Sequence, residues 1–285
     1  MRIAVTGANS GIGLRAATTL HSHGHEVIAL CRSFDRAGEA LGGTGIRLIE
    51  LDQASRASVQ RAADELSDGG PLDALINNAA VFDQSQRTPS YTADGHETVW
   101  QTDHLGPFEL TARVSGALAR AHSPRVLFIA SKGLVTMPRI RIRDDDLAGA
   151  TWYTPVRAYY HAKLAQVMTA VHLAERAGPA VSVACLRVPA VRIDSDRMAQ
   201  QSALLRALYA PKNRVAMSPE RIAEVYGGLI LDDSVRGPAE VYVDERRRAV
   251  PLPRFAREYE NRAALWRLTS ELLGDPVWRF AGMGG

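Results

Sequence analysis

The sequence predicts a doubly wound α/β fold, a parallel sheet with helices on both faces, and three observations carry that expectation. Short apolar runs alternate with amphipathic helical patterns along the whole length. Glycines cluster directly behind the first of those runs and open the first helix. No internal repeat, low-complexity tract or linker divides the 285 residues, so a single domain over 1–285 is expected.

The strand-like runs fall at 3–6, 26–31, 46–51, 72–77, 125–131, 180–186 and 240–243. Behind the first, Gly7, Asn9, Ser10, Gly11, Ile12 and Gly13 form a turn into a helix whose Ile12, Ala16, Ala17 and Leu20 share one face. Such a turn lets backbone N–H groups approach a pyrophosphate and lets helix and strand pack closely. About 20 residues past the glycines a dinucleotide site carries an acid for the ribose 2′-hydroxyl, or Arg where a 2′-phosphate must be accommodated. That count lands on Arg32, which favours NADP(H) over NAD(H), with Asp35 near enough to serve a ribose instead.

Further along, Val59, Ala62, Ala63 and Leu66 repeat at helical spacing, as do Leu164, Val167, Met168 and Val171. Just ahead of the second set, Tyr159 and Lys163 stand four residues apart on one helix face. An ammonium beside a phenol favours the phenolate and lowers the Tyr pKa, which suits acid–base work. The chain has only three lysines among 34 basic residues, so a Lys inside a motif is informative. Three long irregular stretches, about 80–96, 132–156 and 188–217, follow strand ends, where ligands of open α/β sheets bind, and they are expected to form the substrate mouth. Met137, Trp152, Tyr153, Met198, Leu204, Leu205, Leu208 and Tyr209 populate them and point to a bulky apolar or aromatic substrate.

Composition narrows the function classes. With 46% hydrophobic and 23% charged residues the chain reads as a soluble globular domain. Its formal charge of +3 comes from basic residues spread along the chain, which argues against nucleic acid. No apolar run approaches the roughly 18 residues of a membrane span. The N-terminus enters a strand at once, without the zones of a signal peptide, so a cytoplasmic location is expected. Cys31 and Cys185 lack partners at metal-ligand spacing, and both read as free, buried strand thiols; no metal is expected.

These motifs together resemble the short-chain dehydrogenase/reductase family. The spacing Gly7-xxx-Gly11-x-Gly13 is similar to its main branch rather than to the extended epimerases. Asp52, followed by Gln53, matches the residue that meets the adenine ring, and Asn77-Asn78-Ala79-Ala80 matches the NNAG motif with Ala80 in place of Gly. Ser131 stands where the family has its catalytic Ser, although the Ser before it is here Ala130. Thr92–Glu97, His104-Leu105-Gly106-Pro107-Phe108, Ala158-Tyr159 with Lys163-Leu164-Ala165, and Leu265–Gly274 resemble the subgroup of retinol dehydrogenases and WW-domain oxidoreductase.

The resemblance implies a single Rossmann domain with seven parallel strands ordered 3-2-1-4-5-6-7. It implies cofactor contacts from Asn78, Ala79, Ala80, Tyr159, Lys163, Pro189 and Val191, and a homodimer formed through helices near 104–121 and 158–177. On that sheet order Cys31 and Cys185 lie about 19 Å apart, at about 4.8 Å per strand step, too far for a disulfide. The implied activity is NADPH-dependent reduction of a ketone or aldehyde, or the reverse oxidation. Tyr159 would be the proton donor, Lys163 would lower its pKa and hold the ribose, and Ser131 would stabilise the oxyanion. Two departures stand out: the family's catalytic Asn is Asp103, and its Pro-Gly-x-Val-x-Thr is Pro189-Ala190-Val191-Arg192-Ile193-Asp194. They leave open a non-redox enzyme on the same fold, such as an epimerase, dehydratase or cyclase, and a catalytically idle NADP-binding regulator.

Overall fold

The computed structural model describes residues 1–192, 216–232 and 237–283. Its seven strands are β1 (Arg2–Thr6), β2 (Glu26–Cys31), β3 (Arg47–Glu50), β4 (Ala74–Asn77), β5 (Arg125–Ser131), β6 (Ser182–Val188) and β7 (Tyr242–Val243). They form one parallel sheet in the order β3-β2-β1-β4-β5-β6-β7. Strand order reverses between β1 and β4, and that switch point opens the crevice in which an α/β sheet holds its ligand. Four strands begin later than the sequence predicts, β3, β4, β6 and β7, and a proline explains the last two. Pro179 lies in a 3₁₀ turn at Gly178–Ala180, and Pro238 opens another at Pro238–Glu240, so each strand starts only after its turn.

Because alternate strand residues face opposite sides, the sheet divides the core in two. Ile3, Val5, Val27, Ala29 and Cys31 pack under α1 (Gly11–Ser22) and α2 (Phe34–Leu41), joined by a later helix, Pro219–Ile230. Ala4, Ile28, Leu30, Leu75 and Phe128 pack under α3 (Arg56–Asp68), α5 (Gly106–Ala119), α6 (Pro155–Ala177) and a C-terminal helix, Tyr259–Leu272. Between α3 and α5 lies one helical turn, α4 (Thr98–Trp100); the two remaining helices are α7 (Pro219–Ile230) and α8 (Tyr259–Leu272). The predicted faces of α3 and α6 are buried, as are both cysteines, which are free.

The helix faces expected to pair two copies are filled from within the chain. Both α5 and α6 are buried nearly all the way round. Phe108 of α5 meets Trp266 of α8 at 4.8 Å between ring centroids and Trp278 at 5.1 Å. Arg262 of α8 pairs with Glu175 of α6, Arg56 donates to the Leu273 carbonyl at 2.6 Å, and the Arg279 N–H donates to Ser115 Oγ at 2.8 Å. The C-terminal segment thus covers much of both helices.

Candidate active site

At the carboxyl ends of β1, β2 and β4 lies a cleft of about 700 Å³. Of the expected cofactor residues, Gly7, Asn9, Ser10, Gly11, Ile12, Arg32, Asp52, Gln53, Asn78, Ala79 and Ala80 line it. Gly7 and Gly11 have φ of +66° and +58°, a region that L side chains rarely adopt. A Cβ on Gly13 would fall 2.5 Å from both the Gly7 carbonyl oxygen and Asn78 Nδ2, so Gly13 serves the close approach of α1 to the sheet. Thr6 Oγ1 accepts the N–H groups of Asn78 and Ala79 at 2.9 Å, while Asn78 Nδ2 donates to the Thr6 carbonyl at 2.8 Å. Tyr226 of α7 closes the arrangement by donating to Asn78 Oδ1 at 3.1 Å. The cleft floor is thus cross-linked before any ligand arrives.

The residues present fit a dinucleotide. The Gln53 side-chain amide is buried at the cleft with neither its nitrogen nor its oxygen bonded within the protein. Arg32 is joined by Arg36, which the sequence reading missed; their guanidinium groups find no protein acceptor among the described residues. Its signal was the Ser33 cap, which accepts the Arg36 N–H, starts α2 and brings Arg36 round one turn after Arg32. Tyr159, Lys163, Pro189 and Val191 do not line the cleft. Past the end of β6 the backbone instead pairs with Met217, through Arg192 N–H to the Met217 carbonyl at 2.8 Å and Met217 N–H to the Ala190 carbonyl at 3.0 Å. Asp194, Met198, Leu204, Leu205, Leu208 and Tyr209 lie outside the described residues.

Next to Val81 and Thr102 of the cleft, the four expected catalytic residues converge. Lys163 is buried on α6; its Nζ donates to the Ile129 carbonyl at 3.0 Å and to Gln166 Oε1 at 3.2 Å, and lies 5.6 Å from the centre of the Tyr159 ring. Ser131, at the end of β5, lies near enough to Tyr159 to pull its pKa down, and its Oγ accepts the Gly133 N–H at 3.2 Å. Tyr159 also stacks on Phe82 with ring centroids 4.5 Å apart, a neighbour the sequence did not announce. Tyr160 turns away: a Cβ on Gly133 would strike its hydroxyl.

Asp103 is fully buried in a π-helical turn, Gln101–Leu105, between α4 and α5. Such one-turn bulges cluster at functional sites because they re-aim a side chain. Its Oδ1 accepts the Val81 N–H at 2.7 Å, and Oδ2, with no hydrogen bond, stands 3.7 Å from Lys163 Nζ. Burial pushes the Asp103 pKa up to about 6, against the pull of Lys163 and the Val81 N–H. Burial lowers that of Lys163, and Asp103 opposes the change. The expected depression of the Tyr159 pKa is corrected: it lies above the ordinary phenol value, raised by burial first and then by the Asp103 charge, with Ser131 pulling the other way.

Two of the three mouth loops are described. Trp152 donates Nε1–H to the Asp146 carbonyl at 2.7 Å and stacks on His161 at 4.8 Å, and Tyr153 packs on the core. Met137 and Trp152 line a separate cleft of about 410 Å³ with His161, two residues beyond Tyr159 and so turned about 200° round the helix from it. That cleft does not adjoin the Tyr159–Lys163 face. Among the described residues no group of three His, Cys, Asp or Glu is placed to hold a metal, and no helix is long and apolar enough to cross a membrane.

Comparison with known proteins gives the family and the fold. Residues 1–141 fit the sequence profile described as short chain dehydrogenase. Retinol dehydrogenase 14 of Mus musculus is 32% identical over 295 residues, covering 95% of this chain and 85% of that protein. WW domain-containing oxidoreductase of Homo sapiens is 28% identical over 301 residues, covering 98% and 70%. Protochlorophyllide reductase A of Oryza sativa subsp. japonica is 35% identical over 154 residues, a match spanning 52% of this chain but only 38% of the plant protein. Among solved structures, a protein of Mycobacterium paratuberculosis superposes with a TM-score of 0.72 at 26% identity, over 97% of this chain and 94% of that one. A short chain dehydrogenase of Shigella flexneri complexed with NADP has the same fold, with a TM-score of 0.65 at 21% identity over 86% and 96%.

Proposed function

Because the chain belongs to the short-chain dehydrogenase family, a family of oxidoreductases, we propose that it uses NADP(H) to reduce a ketone or aldehyde of a bulky apolar or aromatic compound, or to oxidise the alcohol. The observation that carries this reading is the convergence of Tyr159, Lys163, Ser131 and Asp103 beside the glycine-rich cleft. The family relationship and the NADP bound by the Shigella flexneri protein support the cofactor, and so do Arg32 and Arg36. Their forked guanidiniums suit the 2′-phosphate, while Gly7, Gly11 and the start of α1 suit the pyrophosphate.

NADPH, when bound, supplies the hydride. The protein supplies position and charge. Tyr159 donates its phenolic proton to the substrate oxygen in reduction, a role that suits a phenol held neutral. Ser131 donates a hydrogen bond to the same oxygen as it becomes negative. Lys163 would hold the ribose hydroxyls of the cofactor and replenish the Tyr159 proton, with Asp103 as its counter-charge. Phe82, stacked on Tyr159 and 43% exposed, gives an aromatic substrate a surface to lie on. A single domain over 1–285 in the cytoplasm, acting on a small molecule, completes the reading.

The test is NADPH consumption at 340 nm against retinoids, steroid ketones, aromatic polyketide ketones and small aldehydes. A ketone or aldehyde that drives consumption with formation of its alcohol is the expected result. One observation favours a second reading: a buried carboxylate titrating near neutrality at Asp103 is equipped for acid–base chemistry without hydride transfer. Conversion of a substrate without change of mass or NADPH consumption would establish it instead.

A further inference from the structure

The π turn that presents Asp103 has one anchor from far along the chain. A π turn is a locally unfavourable insertion in a helix, so neighbouring structure must hold it. Glu97 caps its entrance, accepting the Val99 and Trp100 N–H groups at 3.0 and 2.8 Å. Gln101 is held by Asp94 and Thr92, and Asp103 by Val81 and Lys163. The last anchor is His104, whose Nε2 shares a 2.8 Å hydrogen bond with Thr269 Oγ1 of α8, 165 residues away. Both residues are buried, and the His104 ring lies against Trp100 at 4.4 Å and Phe108 at 6.2 Å. Thr269 shares the buried face of α8 with Arg262, Leu265 and Trp266.

We propose that α8 is a positioning element of the reaction site: the Thr269–His104 hydrogen bond fixes the π turn and thereby aims the Asp103 carboxylate at Lys163. The inference rests on the reading of Tyr159, Lys163 and Asp103 as the reaction centre. His104 directly follows Asp103, so their Cα atoms are about 3.8 Å apart and one cannot shift without the other. The contact is a neutral one. Burial pushes the His104 pKa down to about 3, helped by His161, so the ring carries no charge at neutral pH. The charged and titratable groups that do face Asp103 are Lys163 on α6, Glu97 before the turn, and Tyr159. Thr269 therefore sets the place of Asp103, and those groups set its charge. Since α8 is fastened to α6 by Arg262 and Glu175, and its C-terminal end to α3 by Arg56, it offers a fixed point.

Thr269→Val removes the hydroxyl at nearly constant volume, and His104→Phe removes the bond while keeping the ring packing. Each is expected to speed amide hydrogen exchange at 101–106 about tenfold or more, with exchange in β1 and β4 unchanged. Each is also expected to lower kcat about tenfold or more for the best panel substrate, with KM for NADPH within about twofold, because a misplaced group acts on the transition state. Thr269→Ser keeps the hydroxyl and should match wild type in both. Wild-type exchange and kcat in the first two variants would overturn the proposal; so would faster exchange spread evenly over the molecule, or a loss that Thr269→Ser shares. If Thr269→Val does not fold, His104→Phe decides alone. Tyr159→Phe measured alongside separates the two levels: retained turnover there sinks the catalytic reading, and the exchange data still judge the link between α8 and the turn.

Discussion

On the function proposed, Asp103 is the residue whose charge bears most on the chemistry of this site. A neutral Asn would fit the pocket with nearly the same volume and still accept the Val81 N–H. The carboxylate adds a negative charge 3.7 Å from Lys163 and close enough to Tyr159 to hold the phenol proton more tightly. Alcohol oxidation needs the phenolate, so an ionised Asp103 works against it. Asp103→Asn removes that charge and leaves the Lys163 ammonium to act on Tyr159; both changes lower the Tyr159 pKa. The pH–rate profile for oxidation should shift to lower pH by about one unit, while NADPH-dependent reduction at neutral pH is kept or increased. Loss of product formation with NADP(H) still bound would instead mark Asp103 as the acid or base of a non-redox reaction.

At the scale of elements, the function proposed places the choice of cofactor at the junction of β2 and α2. Arg32 directly follows the strand, Ser33 caps the helix and Arg36 returns one turn later, giving two guanidiniums on one cleft wall with Glu39 beyond them. NADPH should bind at least about tenfold more tightly than NADH, since a charge-assisted contact contributes about 1.5–3 kcal/mol. Arg32→Ala should reduce that preference and the double change of Arg32 and Arg36 to Ala should remove it; equal dissociation constants for the two cofactors in the wild type would contradict the assignment. The glycine turn, Arg32 and the Tyr159–Lys163 pair were legible because each is a local pattern whose spacing alone dictates geometry. Arg36, Phe82 and the Thr269–His104 contact were not, because they depend on where a cap starts a helix or how distant elements pack. The rise in the Tyr159 pKa was hidden for a related reason: spacing brings Lys163 near, but only the packed site reveals the burial and the Asp103 charge that outweigh it.

The whole molecule is a sheet with two helical layers, one of which is sealed by the C-terminal segment. Trp266 and Trp278 lie on Phe108, and Arg56, Ser115 and Glu175 tie the segment down, so it covers much of α5 and α6 among the described residues. Light scattering after size exclusion at micromolar concentration should give the mass of one 31.0 kDa chain, and a stable particle of twice that mass would show that pairing uses another surface or displaces the segment. This self-contained architecture leaves one cofactor cleft and one Tyr159 per molecule as the centre of the function proposed. The most direct test is therefore NADPH oxidation at 340 nm by wild type and Tyr159→Phe with the same carbonyl substrate, with NADPH affinity measured in parallel. Turnover should fall by about three orders of magnitude in Tyr159→Phe while the dissociation constant for NADPH stays within about threefold. Turnover near the wild-type rate in that variant would contradict the assignment of Tyr159 as the proton donor.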